Sequence, residues 1–179
     1  VAEGGESGGH VGDLTTMTLV PQVVDAVDVP VVAAGGIADG RGVAAALMLG
    51  AVGVQVGTRF LVADECTVSE EYKERILKAN DIATMVTGRR DDGAVRCLKT
   101  PFSRRYAKLE REGASKEELA ELGRGSLRKA AVDGNYEEGS FMAGQSAGLV
   151  TRRQPAADIV DDLLRDAEEV LREATRWVR

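Results

Sequence analysis

Aromatic side chains are scarce in this chain of 179 residues: three Phe, three Tyr and one Trp make up 4% of it. A core with so few rings must be built from small aliphatics. Histidine is rarer still, a single residue at His10, and cysteine occurs only as Cys66 and Cys97. Those residues supply neither a disulfide framework nor the usual Cys2His2 zinc site, so no metal site is expected. A reduced, cytoplasmic chain is the simple reading. No apolar run reaches the roughly 18 residues of a membrane span, and no stretch reads as a signal peptide, so no membrane partner is expected. Positive charge is in deficit, with 23 Lys and Arg against 29 Asp and Glu, a net charge of -6. That argues against binding nucleic acid by neutralising phosphates. The basic residues Arg89, Arg90, Arg104, Arg105 and Lys108 read as a solvated face or, if gathered on one side, as a dock for an acidic partner. An initiating Met is lacking as well. Only Val1-Ala2 could end a strand before the first loop, so an N-terminal portion is expected upstream.

Glycine, by contrast, is plentiful at 21 residues, and it gathers in turns. The stretch Glu3-Gly4-Gly5-Glu6-Ser7-Gly8-Gly9-His10-Val11-Gly12 sets the one histidine in a glycine-rich loop. Such a backbone can approach a ligand closely, and an imidazole moves protons near neutral pH. Two further turns follow, Ala34-Gly35-Gly36-Ile37 and Gln55-Val56-Gly57-Thr58. Three turns of this kind suggest one phosphate-bearing cofactor beside one acid-base residue. Two readings stand for each group. Gly35, Gly36 and Gly57 grip a phosphate through backbone N–H groups and a helix N-terminus, with Thr58 adding a hydroxyl, or they only shape tight turns. His10 donates a proton or orients substrate, or it is a turn histidine without catalytic work. Glu3 and Glu6 are solvated loop carboxylates, or Glu3 accepts from a ring N–H.

Periodicity supplies the frame. Leu19, Val20, Val23, Val24 and Val27 have helical spacing within 14–27, with Pro21 near the helix start, where proline is tolerated. Residues 29–34 and 51–56 are short β-branched runs of the kind buried on both faces. Between them 39–50 reads as a helix, with Asp39 as N-cap and Gly50 closing it. Strands alternating with helices predict an α/β fold with a parallel sheet. Beyond Phe60 the pattern changes. Helices are expected near 69–79, 100–111 and 115–123, with no strand of the earlier kind over 88–134, which predicts a helical insertion or lid. Residues 140–150 are small and suit close packing against a ligand or another backbone. Residues 155–178 form an amphipathic helix with one apolar stripe, Ile159, Val160, Leu163, Ala167, Val170, Leu171, Ala174 and Trp177. Three segments result: βα units with the phosphate turns over 1–66, the insertion over 67–139, and a cofactor-side segment with the last helix over 140–179.

With these turns in hand, the chain resembles the flavin-dependent enoyl-acyl-carrier-protein reductase II family, within the wider nitronate monooxygenase-like barrels. The matching motifs are Glu3–Gly12 (EGGESGGHVG), Leu14–Val20 (LTTMTLV), Pro30–Gly40 (PVVAAGGIADG), Gln55–Phe60 (QVGTRF) and Ser140–Val150 (SFMAGQSAGLV). The resemblance is weakest over 82–123. It implies the C-terminal part of a TIM (β/α)8 barrel that holds FMN. Gly35 and Gly36 would cradle the phosphate, with Gln55, Gly57 and Thr58 completing the grip. Glu3 and Gly8 would lie by the flavin ring and ribityl chain, and Gly144 and Gln145 would belong to a late cofactor-side segment. His10 would be the catalytic proton donor. The resemblance further implies NADH or NADPH as reductant, an acyl-carrier-protein-bound enoyl thioester as substrate, homodimers, and activation by a monovalent cation. Such enzymes run to roughly 300 residues or more, so a chain of this length alone is expected to be unstable or inactive. Two other readings stay open: oxidation of nitronates by flavin and oxygen, and a non-catalytic phosphate-ligand-binding fragment.

Overall fold

A computed structural model describes residues 1–89 and 93–178, the side chain of Trp177 excepted. Arg90 of the basic stretch and the Trp177 side chain of the terminal stripe therefore lie outside the described residues. The elements run β1 (Ala2–Glu3), β2 (Gly9–His10), α1 (Thr16–Ala26), β3 (Val32–Ala34), α2 (Gly40–Met48), β4 (Gly53–Gln55), α3 (Glu70–Leu77), β5 (Thr84–Thr87), β6 (Val95–Leu98), α4 (Pro101–Glu112), α5 (Lys116–Gly123), α6 (Ser126–Ala131) and α7 (Ala156–Glu173). Short 3-10 helices span Thr58–Val62, Gln145–Leu149 and Ala174–Trp177.

The α/β reading holds. β1, β3 and β4 form a parallel sheet with β3 in the middle. The central strand is closed off on both faces: Ala33 and Ala34 are buried, as is Val31 before them. Small residues let the helices close over the sheet. A Cβ on Gly40, at the start of α2, would meet the Ala167 backbone nitrogen at 2.3 Å, so only glycine allows α2 to lie this near α7. Asp39 caps α2 as the sequence predicts, accepting from the Arg41 and Gly42 amides, and Gly50 closes the turn beyond it at φ +96°. The core on this side is Ala and Val with Ile37, Ile159 and Leu163; among the described residues it has no fully buried ring, and Phe60 packs against it partly buried. The rings concentrate elsewhere. Tyr72 and Phe141 pack with their rings tilted by 47° and 4.8 Å between centroids in a second core, which also holds Val62, Ile76 and Leu98.

Three expectations are corrected. The stretch read as purely helical contains β5 and β6, which form an antiparallel sheet with β2 in the order β2-β6-β5. Sequences of four residues, TMVT and VRCL, carry too little alternation to register as strands, and a partner distant in sequence forms them. Pro21 sits inside α1 rather than at its start. The helix continues through it and forgoes the bond that a residue-21 N–H would make to the Met17 carbonyl. Finally, the apolar stripe of α7 is narrower than its sequence suggests. Ile159, Leu163 and Ala167 are buried, whereas Val160 and Val170 are 44% and 37% exposed.

Candidate cofactor cleft

Register builds the site. Glu3 pairs with Ala34, and Ala34 with Gln55, so the three parallel strands end in step. The turns that follow them therefore leave one edge of the sheet together. The C-terminal edge of such a sheet is where α/β folds place their ligands. Gly35 and Gly36 adopt φ of +93° and +74°, which turns the chain sharply after β3.

The glycine loop after β1 is braced from three directions. The Glu6 carboxylate accepts from the Thr16 amide at 2.9 Å, at the first residue of α1, and the Thr16 hydroxyl lies 3.0 Å away. Negative charge at a helix start is favourable, so Glu6 is a capping group and not the solvated carboxylate expected of a loop acid. Arg96 on β6 donates through Nε and Nη2 to the Gly5 carbonyl, at 3.1 and 2.8 Å. Burial, and then the nearby Arg89, pull the Arg96 pKa below its ordinary value. The third brace is the late segment. The Gln145 amide donates to the Glu6 carbonyl at 2.9 Å. A Cβ on Gly8 would stand 2.6 Å from Ala143 C and Gly144 N, and one on Gly144 would stand 2.7 Å from Glu6 O. Residues 140–150 thus pack against another backbone, one of the two uses their small size suggested.

Between these walls lies a cleft of about 280 Å³. It gathers Glu3 from the end of β1, Gly8 from the loop, Gly35 and Gly36 from the second turn, and Gln55, Gly57 and Thr58 from the third. Leu61 and Met142 add apolar wall. Gly144 and Gln145 stand behind that lining and hold it: the Gly144 amide donates to the Thr58 hydroxyl at 2.9 Å. His10 is exposed on β2 opposite Val95, one residue beyond Gly9 of the lining, and does not itself line the cleft. Sequence reasoning missed Ser7 and Ser146, both buried hydroxyls in the wall. In sequence Ser7 is one small residue among glycines, and only its unpaired Oγ in the fold distinguishes it.

The turns limit how the phosphate end of a nucleotide would be held in this cleft. A Cβ on Gly57 would meet nothing within 4 Å, so the third turn presents bare backbone. One on Gly35 would stand 2.8 Å from Gly4 O, so that glycine is already required by loop packing. The N-terminus of α2 is taken by the Asp39 carboxylate, which the Arg41 guanidinium holds below its usual pKa. A phosphate here would rest on turn amides and hydroxyls and not on that helix end. Glu3 is the one charged residue among the described residues that line the cleft. Among the described residues there is also no cluster of His, Cys, Asp or Glu arranged for a metal ion, and no helix long and apolar enough to cross a membrane.

A parallel βαβ sheet whose turns open together on one cleft is an α/β arrangement of the barrel type. The nitronate monooxygenase family model matches residues 1–166, and the chain belongs to that family. Its backbone is similar to that of FabK from Thermotoga maritima, with a TM-score of 0.95 and 46% identity over 98% of this chain and 56% of that one. It is 35% identical to a probable nitronate monooxygenase of Staphylococcus saprophyticus, over 96% of this chain and 51% of the relative. It is 33% identical to the (3aS,4S,5R,7aS)-5-hydroxy-7a-methyl-1-oxo-octahydro-1H-indene-4-carboxyl-CoA dehydrogenase of Mycobacterium tuberculosis, over 99% of this chain and 61% of that relative. The chain thus spans about half the length of the relatives it matches.

Proposed function

We propose that this chain carries the cofactor-phosphate side of an FMN-dependent oxidoreductase that reduces a trans-2-enoyl thioester on acyl-carrier protein, with NADH or NADPH as reductant. The observation that carries this reading is the common register of Glu3, Ala34 and Gln55, which turns three glycine-rich loops onto one cleft. The similarity to FabK at 46% identity supports it. When bound, the flavin supplies the hydride chemistry, and the protein supplies position and electrostatics.

The chain's own residues divide the work. The Gly35–Gly36 and Gly57–Thr58 turns take the phosphate with amide hydrogens. Thr58 accepts from Gly144, which leaves its own hydrogen free to donate. Gln55, at the end of β4, completes the phosphate grip, and Glu3, at the end of β1, takes the polar edge of the ring system. Gly8, Gly144 and Gln145 keep the loop seated on the late segment. His10 protonates the substrate α-carbon or polarises the thioester carbonyl. The working protein is a cytoplasmic homodimer activated by a monovalent cation.

A second reading, oxidation of a nitronate, is favoured by the family model and by the name of the staphylococcal relative. One assay separates the two. Protein made from the whole gene, kept under nitrogen, is given NADH and crotonyl thioester. Consumption of NADH there supports enoyl reduction. Turnover only with a nitronate and oxygen, without nicotinamide, supports the second reading. A purified protein without flavin absorbance would favour a non-catalytic phosphate-ligand binder.

A further inference from the structure

We propose that the Ser7 hydroxyl is a phosphate-recognition group of this cleft, donating to a phosphate oxygen of the bound flavin mononucleotide. The inference rests on the flavin reading above. Ser7 lines the cleft and is 7% exposed. Its Oγ is the buried side-chain polar atom that, among the described residues, finds no hydrogen-bond partner. A buried hydroxyl left unpaired is costly, and such an orphan in a native fold calls for an explanation.

The surrounding loop offers a contrast. The Ser7 amide donates to Gly4 O at 3.1 Å. The Gly5 carbonyl is held by Arg96, the Glu6 carboxylate by Thr16, and the Glu6 carbonyl by Gln145. The fold completes each of these contacts and leaves the Ser7 hydroxyl out. Its neighbours locate it. On one side the Glu6 side chain packs on the second turn, where a Cβ on Gly36 would meet Glu6 Cβ at 3.4 Å. On the other, Gly8 packs on Ala143 and Gly144, and Gly144 bonds Thr58 in the third turn. Ser7 therefore stands between the two turns assigned to the phosphate. No Lys, Arg or His is among the described residues that line the cleft. A dianion there must be met by uncharged donors, and a hydroxyl with its hydrogen uncommitted is one of them.

The test compares FMN with riboflavin, its analogue without phosphate, on protein made from the whole gene and stripped of ligand. Ser7→Ala is expected to weaken FMN roughly ten-fold or more, as for a hydrogen bond to a charged group, and to change riboflavin affinity less than two-fold. The ligand-free variant should melt at or above the wild-type temperature, because an unpaired buried hydroxyl has been removed. Equal weakening of both ligands, or of neither, overturns the assignment to phosphate. A lower melting temperature of the ligand-free variant overturns it too, since Ser7 would then have a structural partner. If the wild type binds neither compound, the flavin reading falls and this inference with it. If the wild type binds FMN and Ser7→Ala binds it as tightly, only this inference falls.

Discussion

The Gly144 amide donates to the Thr58 hydroxyl at 2.9 Å, a contact that joins the third turn of the cleft to a segment far along the chain. Both groups are buried. Replacing Thr58 by Val would strand the Gly144 N–H without an acceptor, at a cost of about 1–3 kcal/mol. Replacing it by Ser keeps the acceptor. Denaturant unfolding should therefore show Thr58→Val clearly less stable than Thr58→Ser. Equal stability of the two would mean that the contact does not hold the late segment in place.

Gly8 faces the same segment. Ala at this position would bring a Cβ to 2.6 Å from the Ala143 and Gly144 backbones, which cannot yield as a flexible side chain would. Gly8→Ala is predicted to cost about 1–3 kcal/mol and to lower the melting temperature by about 2–4 °C for each kcal/mol. By contrast, Gly12→Ala, where a Cβ meets nothing within 4 Å, should leave the melting temperature close to wild type. Calorimetry on the pair checks the difference.

The two cysteines should differ in reactivity. Cys97 is 1% exposed, and burial pushes its thiol up from 9.0 to about 11. Cys66 is half-buried. Since the thiolate is the reactive form, iodoacetamide at neutral pH should modify Cys66 first and reach Cys97 only on unfolding, which mass spectrometry of digested protein would reveal. The shift also has a sign for stability. The Cys97 thiol is easier to ionise unfolded than folded, so its contribution is full below pH ~9 and is lost as pH rises toward about 11. Equal labelling of both cysteines in folded protein would contradict this.

Asp162 works at the other end of the pH scale. Hydrogen bonds from Gln154, Arg165 and Arg152 hold its carboxyl at about 2, down from 3.8. A depressed acid stabilises the fold above its unfolded pKa, so this contribution should fade as pH drops from about 4 to 2. Asp162→Asn should flatten that acid limb, as followed by circular dichroism across the same window. An unchanged limb would show that the network contributes nothing to acid stability, a common outcome for exposed ion pairs.

What the sequence revealed and what it hid follow from range. The parallel strands were legible because Val31, Val32, Ala33 and Ala34 are local, apolar and followed at once by Gly35 and Gly36. The α2 start was legible because Asp39 caps a helix that begins one residue later. The second sheet was not legible, since β2 has two residues and owes its pairing to Val95 and Arg96. Glu6 was misread for the same reason: its partner Thr16 is adjacent only after the loop folds back. The three turns of the cleft were visible as glycine spacing, whereas the hydroxyls of Ser7 and Ser146 became visible only once burial was known.

His10 carries the proposed acid-base step. In protein made from the whole gene, His10→Ala should retain FMN and lose turnover by roughly 100- to 10,000-fold, the usual worth of a positioned general acid. Steady-state kinetics with a flavin absorbance spectrum of the same sample checks both halves. Turnover at the wild-type rate would remove His10 from the chemistry without touching the cleft.

The cleft itself is tested most directly by what it holds. Protein made from the whole gene can be purified, denatured by heat, and its released chromophore identified by mass. FMN, one per chain, is the result that the proposed function predicts for a cleft at three in-step strand ends. Recovery of no flavin, or of FAD in its place, would contradict it.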